Sequence, residues 1–305
     1  MRLYGGLPAI LAGTAIASAM VVTLPQTAAA LTGRQINQIA RNVTVLFVGT
    51  QGQHGSGFLI AKNDKTYYIL TAYHVVGLKD DYKVVTVDKQ AYAVDYKKIK
   101  RIPGVDLAVV EITSDKDYEV AKLRSSSSAS EGEDVFASGW PAPGNTKQLI
   151  RQFTDGRISG FLEQPVDGYQ MIYTNVTRRG MSGGPIIDAG GRVVGIHGMG
   201  DYEDPQRLVG REGLSPEAAV TIASLIKPGF NYAIPMDTFL QKAGMAGVFL
   251  NLDVSNDPAP ELGEQYVASE EVDDADKIDD LDKTLKTLRA VNEGVDTIRG
   301  VRSLF

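Results

Sequence analysis

The 305-residue chain contains no cysteine, and only one tryptophan and three histidines. Without cysteine no disulfide can form, so the fold must stand on its hydrophobic core. At this length a core of ample size is available. For an exported protein, a disulfide-free sequence points to a bacterial envelope rather than an animal secretory route. An excess of basic charge is also missing. Lys and Arg number 31 against 37 Asp and Glu, a net charge of -6. With no basic stripe, the balance argues against nucleic-acid binding. No cofactor and no metal are expected.

What is present falls into segments. Residues 1–30 have a positive start at Arg2, an apolar run from Leu7 to Leu24 and a small-residue triplet, Ala28-Ala29-Ala30. That is the pattern of a secretory signal peptide, with a mature start expected at Leu31. The chain is then expected in the periplasm or outside the cell, with no membrane attachment after cleavage. A short helix is expected over Leu31–Arg41, with Ile36, Ile39 and Ala40 on one face. Short strand patterns follow at close intervals from Val43 to Ile112, and again from Val135 to Ile234. Such spacing implies an all-β sandwich or barrel. Arg124–Glu133, with its four consecutive serines, reads as a surface connection. Residues 201–229 read as a long loop with a helix at 216–226, and Met236–Ala243 as a closing helix. The expected division is one strand-rich segment over 31–122, a second over 123–250 and a linker over 251–268, and the resemblance described below makes each segment a barrel. The remainder, 269–305, is an acidic tail.

Residues 251–305 carry 14 acidic and 6 basic side chains, so the rest of the chain nets about +2. Apolar residues from Val272 to Leu304 recur mostly at intervals of three or four, the pattern of an amphipathic helix. Such a tail can pack on the barrels, self-associate or bind a partner helix; it can equally be a solvated extension.

One loop stands out: Gly180-Met181-Ser182-Gly183-Gly184-Pro185. Glycines let the backbone turn sharply and let N–H groups converge beside the serine hydroxyl. A serine between glycines also suits a plain hairpin turn. Two upstream stretches bear on the choice. Thr71-Ala72-Tyr73-His74 ends one buried-strand pattern, and Asp106-Leu107-Ala108-Val109 begins another. Together they supply His, Asp and Ser in that chain order. Taken singly, each is also consistent with a capped loop or turn residue.

In these three stretches the sequence resembles the chymotrypsin-fold, trypsin-like serine peptidases. Gly55-Ser56-Gly57-Phe58-Leu59-Ile60 and His74-Val75-Val76 resemble its disulfide-free bacterial branch, the HtrA/Deg proteases and glutamyl endopeptidases. The resemblance runs from about Asn42 to Ala243. It implies two six-stranded antiparallel β-barrels with the active site between them, followed by the C-terminal helix and the tail. It implies a serine endopeptidase acting on polypeptides through an acyl-enzyme. Ser182 would be the nucleophile, His74 the base and Asp106 the residue that holds the imidazole. The amides of Gly180 and Ser182 would form the oxyanion hole. Met181 stands where animal enzymes of this kind carry an aspartate that pairs with a freed N-terminus, so that activation route is not expected. Thr177, His197 and Gly198 would line the primary pocket. Thr177 and His197 match the glutamyl endopeptidases in spacing, which implies a preference for acidic residues. Val176 stands where a basic-specific pocket needs an acid. The alternative is a catalytically idle, chaperone-like or protein-binding module on the same fold.

Overall fold

The computed structural model describes residues 30–143, 148–200, 230–262 and 277–278. The signal segment up to residue 29, the 201–229 loop with its expected helix, and nearly all of the tail lie outside the described residues. Among those described, no helix is long and apolar enough to cross a membrane.

Helix α1 (Gly33–Val43) opens the body. Thr32 caps it, with Gln35 completing a reciprocal capping box, which satisfies orphan N–H groups at the first turn. Ile36, Ala40 and Val43 are its buried face; Ile39 is half-buried.

Seven strands follow: β1 (Thr44–Val48), β2 (His54–Asn63), β3 (Thr66–Ala72), β4 (Lys83–Val85), β5 (Ala91–Ala93), β6 (Lys100–Arg101) and β7 (Leu107–Thr113). They form one curled sheet in the order β5-β4-β1-β2-β3-β7-β6. Every residue of β1, Thr-Val-Leu-Phe-Val, is buried, so this strand is apolar on both faces rather than alternating. Its β-branched and aromatic residues suit such a position.

The second sheet is built from β8 (Leu123–Arg124), β9 (Asp134–Gly139), β11 (Gln152–Val166), β12 (Tyr169–Tyr173), β13 (Pro185–Asp188), β14 (Val193–Gly200), β15 (Asn231–Pro235) and β16 (Val254–Ser255). The order β13-β9-β11-β12-β15-β14 closes on itself, because β13 also pairs with β14. That is a ring of six strands, with β8 and β16 added in parallel beyond β14. Helix α3 (Met236–Lys242) ends the body. The protein therefore has the expected two-barrel β architecture with a C-terminal helix. The strand totals exceed six only through short edge pieces. Ahead of the 15-residue β11 lies a short β10 (Leu149–Ile150).

Each sheet has its own core. Val45, Phe47, Leu59, Ile69 and Val110 fill the first, and Val135, Ile158, Met171, Ile186 and Val194 the second. A third cluster joins them: Phe58, Leu70 and Val109 meet Phe136, Ile187, Ile196 and Ile234. Fully burying one such side chain contributes roughly 1.5–3 kcal/mol, so this shared layer fixes the barrels against each other.

Two expectations need correcting. Arg124, read as the start of a surface connection, is wholly buried on β8. The stretch read as a linker covers it: Leu123 N–H donates to Asp253 O at 2.8 Å, and Ser125 N–H to Ser255 O at 2.9 Å. An arginine tolerates burial only when carboxylates meet it. Here Asp188 lies 3.1 Å from its Nε, and Glu133 pairs with Nη2. Asp188 also takes Arg192 at 2.8 Å. In the tail, Lys277–Ile278 form an extended β17 against β10 rather than part of a helix.

Removing Asp188 would leave two largely buried guanidinium groups short of a counter-charge. Asp188→Ala is expected to cost about 3–5 kcal/mol of stability. Urea unfolding followed through the single Trp140 checks this; an unchanged midpoint would show the network to be dispensable.

Candidate active site

Strand register brings the first two residues together. Thr66 pairs with Thr113 at one end of the β3–β7 ladder, and Ala72 with Leu107 at the other. The residues just past β3 and just before β7 are therefore neighbours. His74 sits on the four-residue helix α2 (Tyr73–Val76), pinned by buried Val75 and Val76. Its Nδ1 lies 2.6 Å from Asp106 Oδ2, and its backbone N–H donates to Asp106 Oδ1 at 2.8 Å. The imidazole is about half exposed, while the carboxylate is mostly covered.

Asp106 is held from both barrels. Its N–H donates to Asp167 O at 2.8 Å, and its Oδ2 accepts from Tyr169 Oη at 2.7 Å. Burial alone would raise the carboxyl's pKa. The hydrogen bond and positive charge of His74, with the Tyr169 hydrogen bond, outweigh it and hold Asp106 below the usual carboxylate range.

Ser182 lies in the loop before β13. Two positions there require glycine. Gly180 has φ +99°, and a Cβ would stand 2.2 Å from His54 Nε2. Gly183 has φ +86°, and a Cβ would stand 2.1 Å from Ser56 O. Ser56 fastens the loop: its N–H donates to Ser182 O at 2.8 Å and its Oγ to Gly180 O at 2.9 Å. Its Oγ in turn accepts from Trp140 N–H at 2.8 Å. Buried Met181 supplies an apolar anchor within the second barrel's core.

The amides of Gly180 and Ser182 donate to no backbone carbonyl among the described residues. Arg179 O accepts from Ala142 N–H at 2.8 Å. In a trans peptide the carbonyl and the following N–H point in opposite directions, so this bond sets the direction of the Gly180 N–H. Ser182 Oγ donates to Gly198 O at 3.2 Å, and no hydrogen bond joins it to His74 in this resting geometry.

The residues expected at the pocket lie on neighbouring elements. His197 on β14 is buried, with Nδ1 2.5 Å from Tyr173 Oη. Burial drives its pKa down to about 3, with the charge of His74 adding to the effect. The ring is thus neutral at pH 7. A phenol donating to Nδ1 would leave the ring proton on Nε2. Thr177 Oγ1 donates to Asn231 Oδ1. The orientation of that amide follows from its Nδ2, which donates to Asn175 O. The threonine proton is therefore already engaged.

Sequence reasoning missed Ser56 as a clasp, and Tyr169, Tyr173 and Asn231 altogether. Ser56 was within reach, since it lies inside a quoted motif. The other three had no local signal, because their partners are 24 to 63 positions away.

Residues 55–196 match the family model of the trypsin-like peptidase domain. The chain is 32% identical over 170 residues to the serine protease Do-like HtrA of Bacillus subtilis, covering 53% of this chain and 36% of that one. It is 32% identical over 152 residues to a probable periplasmic serine endoprotease DegP-like of Marinomonas, covering 49% and 30%. The serine protease HtrA-like of Staphylococcus aureus is 29% identical over 159 residues, covering 48% and 20%. The chain thus spans about a third or less of the length of these curated relatives.

Proposed function

We propose, from the match of residues 55–196 to the trypsin-like peptidase domain and the similarity to HtrA/Deg proteases, that this chain is a serine endopeptidase of that kind using Ser182, His74 and Asp106. The observation that carries the proposal is the 2.6 Å His74–Asp106 hydrogen bond beside a glycine-bound serine loop. In that role Asp106 holds Nδ1–H, leaving Nε2 to take the Ser182 proton as the hydroxyl attacks a peptide carbonyl. The serine hydroxyl must first rotate away from Gly198 O. Such bonds are often absent before substrate binds and form in the complex. The Gly180 and Ser182 amides would then stabilise the oxyanion, and water would release the acyl group. The competing reading is a binding or chaperone-like module without turnover. The Ser182–Gly198 hydrogen bond is what favours it.

A finer proposal concerns the pocket. A neutral His197 donating from Nε2 can recognise a carboxylate, and exposed Arg178 and Arg179 add positive potential. We therefore assign a preference for acidic residues before the scissile bond. It rests on His197 more than on Thr177, whose hydroxyl is occupied. Polypeptides are the proposed substrates and the cell envelope or exterior the proposed location, reached by cleavage before Leu31. Leu31 N–H is held by Ala189 O at 3.0 Å in the folded body.

Three outcomes check these proposals. Ser182→Ala should abolish both fluorophosphonate labelling and peptide hydrolysis in a folded protein; near wild-type hydrolysis would exclude the assignment. His197→Ala should lower cleavage after Glu by about 10- to 150-fold, the range for a hydrogen bond to a charged group, and leave cleavage after Leu nearly unchanged. A peptide library showing no preference for Glu in the wild type would end the idea. Mass spectrometry of the protein recovered from cells should find Leu31 near the N-terminus; an intact Met1 would refute export with cleavage.

A further inference from the structure

Asp106 belongs to the first barrel, yet the donor that completes its carboxylate comes from the second. Tyr169 is the first residue of β12 and follows the tight Asp167-Gly168 turn, whose φ values are +50° and +91°. The turn docks on the Val105-Asp106 segment, since Asp106 N–H donates to Asp167 O and a Cβ on Gly168 would meet Val105 at 2.8 Å. This seats the buried phenol with Oη 2.7 Å from Asp106 Oδ2. The same oxygen lies against Gly198, where a Cβ would stand 1.8 Å from it. Gly198 is in turn the residue whose carbonyl accepts from Ser182. A glycine at 198 is therefore the condition for Tyr169 to reach Asp106.

We propose that Tyr169 is a positioning residue of the reaction, acting on His74 through Asp106 and admitted to its place by Gly198. Asp106 Oδ2 receives two donors, the imidazole and the phenol, while Oδ1 receives the His74 backbone N–H. With both oxygens fixed, the carboxylate cannot rotate and the imidazole stays aimed at the serine loop. The phenol also withdraws charge from Oδ2, which limits how basic His74 becomes. Burial and the nearby Asp106 charge raise the tyrosine pKa far above its ordinary value. The hydroxyl therefore stays protonated, a donor, at any pH where the chain works.

The kinetic part of the test rests on the serine-peptidase reading; the titration part does not. Tyr169→Phe keeps the ring and removes only the donor. Its kcat should fall by about 10- to 150-fold with KM changed less than about threefold. The acid limb of kcat/KM should move to higher pH, because a carboxylate without the phenol stabilises imidazolium more strongly. A purely structural tyrosine would not move that limb. Gly198→Ser should be damaging, since it collides with the phenol. In a Ser182→Ala background, NMR titration of His74 should show its midpoint moved to higher pH when Tyr169 becomes Phe, because the freed carboxylate favours imidazolium. If the wild type labels with fluorophosphonate while Tyr169→Phe keeps wild-type kcat, or its limb and midpoint stay put or fall, the role of Tyr169 is refuted alone. If the wild type neither labels nor hydrolyses, the peptidase reading falls. The NMR midpoint then decides the Tyr169–Asp106–His74 coupling by itself.

Discussion

A carboxylate taken out of water is costly unless its oxygens are occupied, and the meeting of the two barrels is arranged around occupying those of Asp106. Its side chain receives His74 twice and Tyr169 once, and its backbone is bonded to Tyr73 on one side and Asp167 on the other. These partners come from α2, the β11–β12 turn and the start of β12. The orientation of His74 therefore depends on how the second barrel seats against the first. The shared apolar layer from Phe58 to Ile234 supplies that seating without direction. The hydrogen bonds at Asp106 add the direction.

The serine loop is held by different means. Gly180 and Gly183 take backbone conformations, and approach neighbours so closely, that a side chain would be excluded. Ser56 then ties the loop at two carbonyls, those of Gly180 and Ser182. Thr71 holds Ser56 in turn, donating to its carbonyl at 2.7 Å. Since Thr71 lies three residues before His74, one strand end supports both the imidazole and the clasp of the serine loop. A shift of β3 would disturb both together.

Much of this was legible in the sequence, and the limits are physical. Dense short runs such as Thr44–Val48 and Leu107–Thr113 are apolar for a reason of packing, so a β sandwich or barrel could be read from spacing and turn residues, while its division into two barrels came from the family resemblance. His74, Asp106 and Ser182 stood out at the edges of such runs, and the family resemblance supplied the roles expected of them. Arg124 was misread because a charged residue near four serines ordinarily faces water. Its burial depends on Asp188 and on Val254–Ser255, 64 and 130 residues further on. Tyr169 was invisible for the same reason. A tyrosine opening a strand has no distinctive neighbours, and its meaning resides in Asp106, 63 positions away. The Thr177–His197 pair came from the resemblance to the glutamyl endopeptidases, but Asn231, which occupies the threonine, could not be read.

The order of the serine loop needs no ionic switch. In the animal enzymes this chain resembles, an aspartate beside the nucleophile waits for a new N-terminus. Here that position is Met181, buried among Ile186, Tyr173 and Val194. Apolar burial is non-directional and independent of any terminal amine, so by itself it would leave the peptide planes around Gly180 free to turn. The two directional bonds nearby remove that freedom: Ser56 Oγ to Gly180 O, and Ala142 N–H to Arg179 O. They constrain the carbonyls on both sides of the Gly180 amide. Burial thus holds the loop down while hydrogen bonds set which way its amides face. Both are complete in the folded chain. What remains unset is the Ser182 hydroxyl, a single side-chain rotation away from Gly198 O. That rotation is a far smaller barrier than reordering a loop.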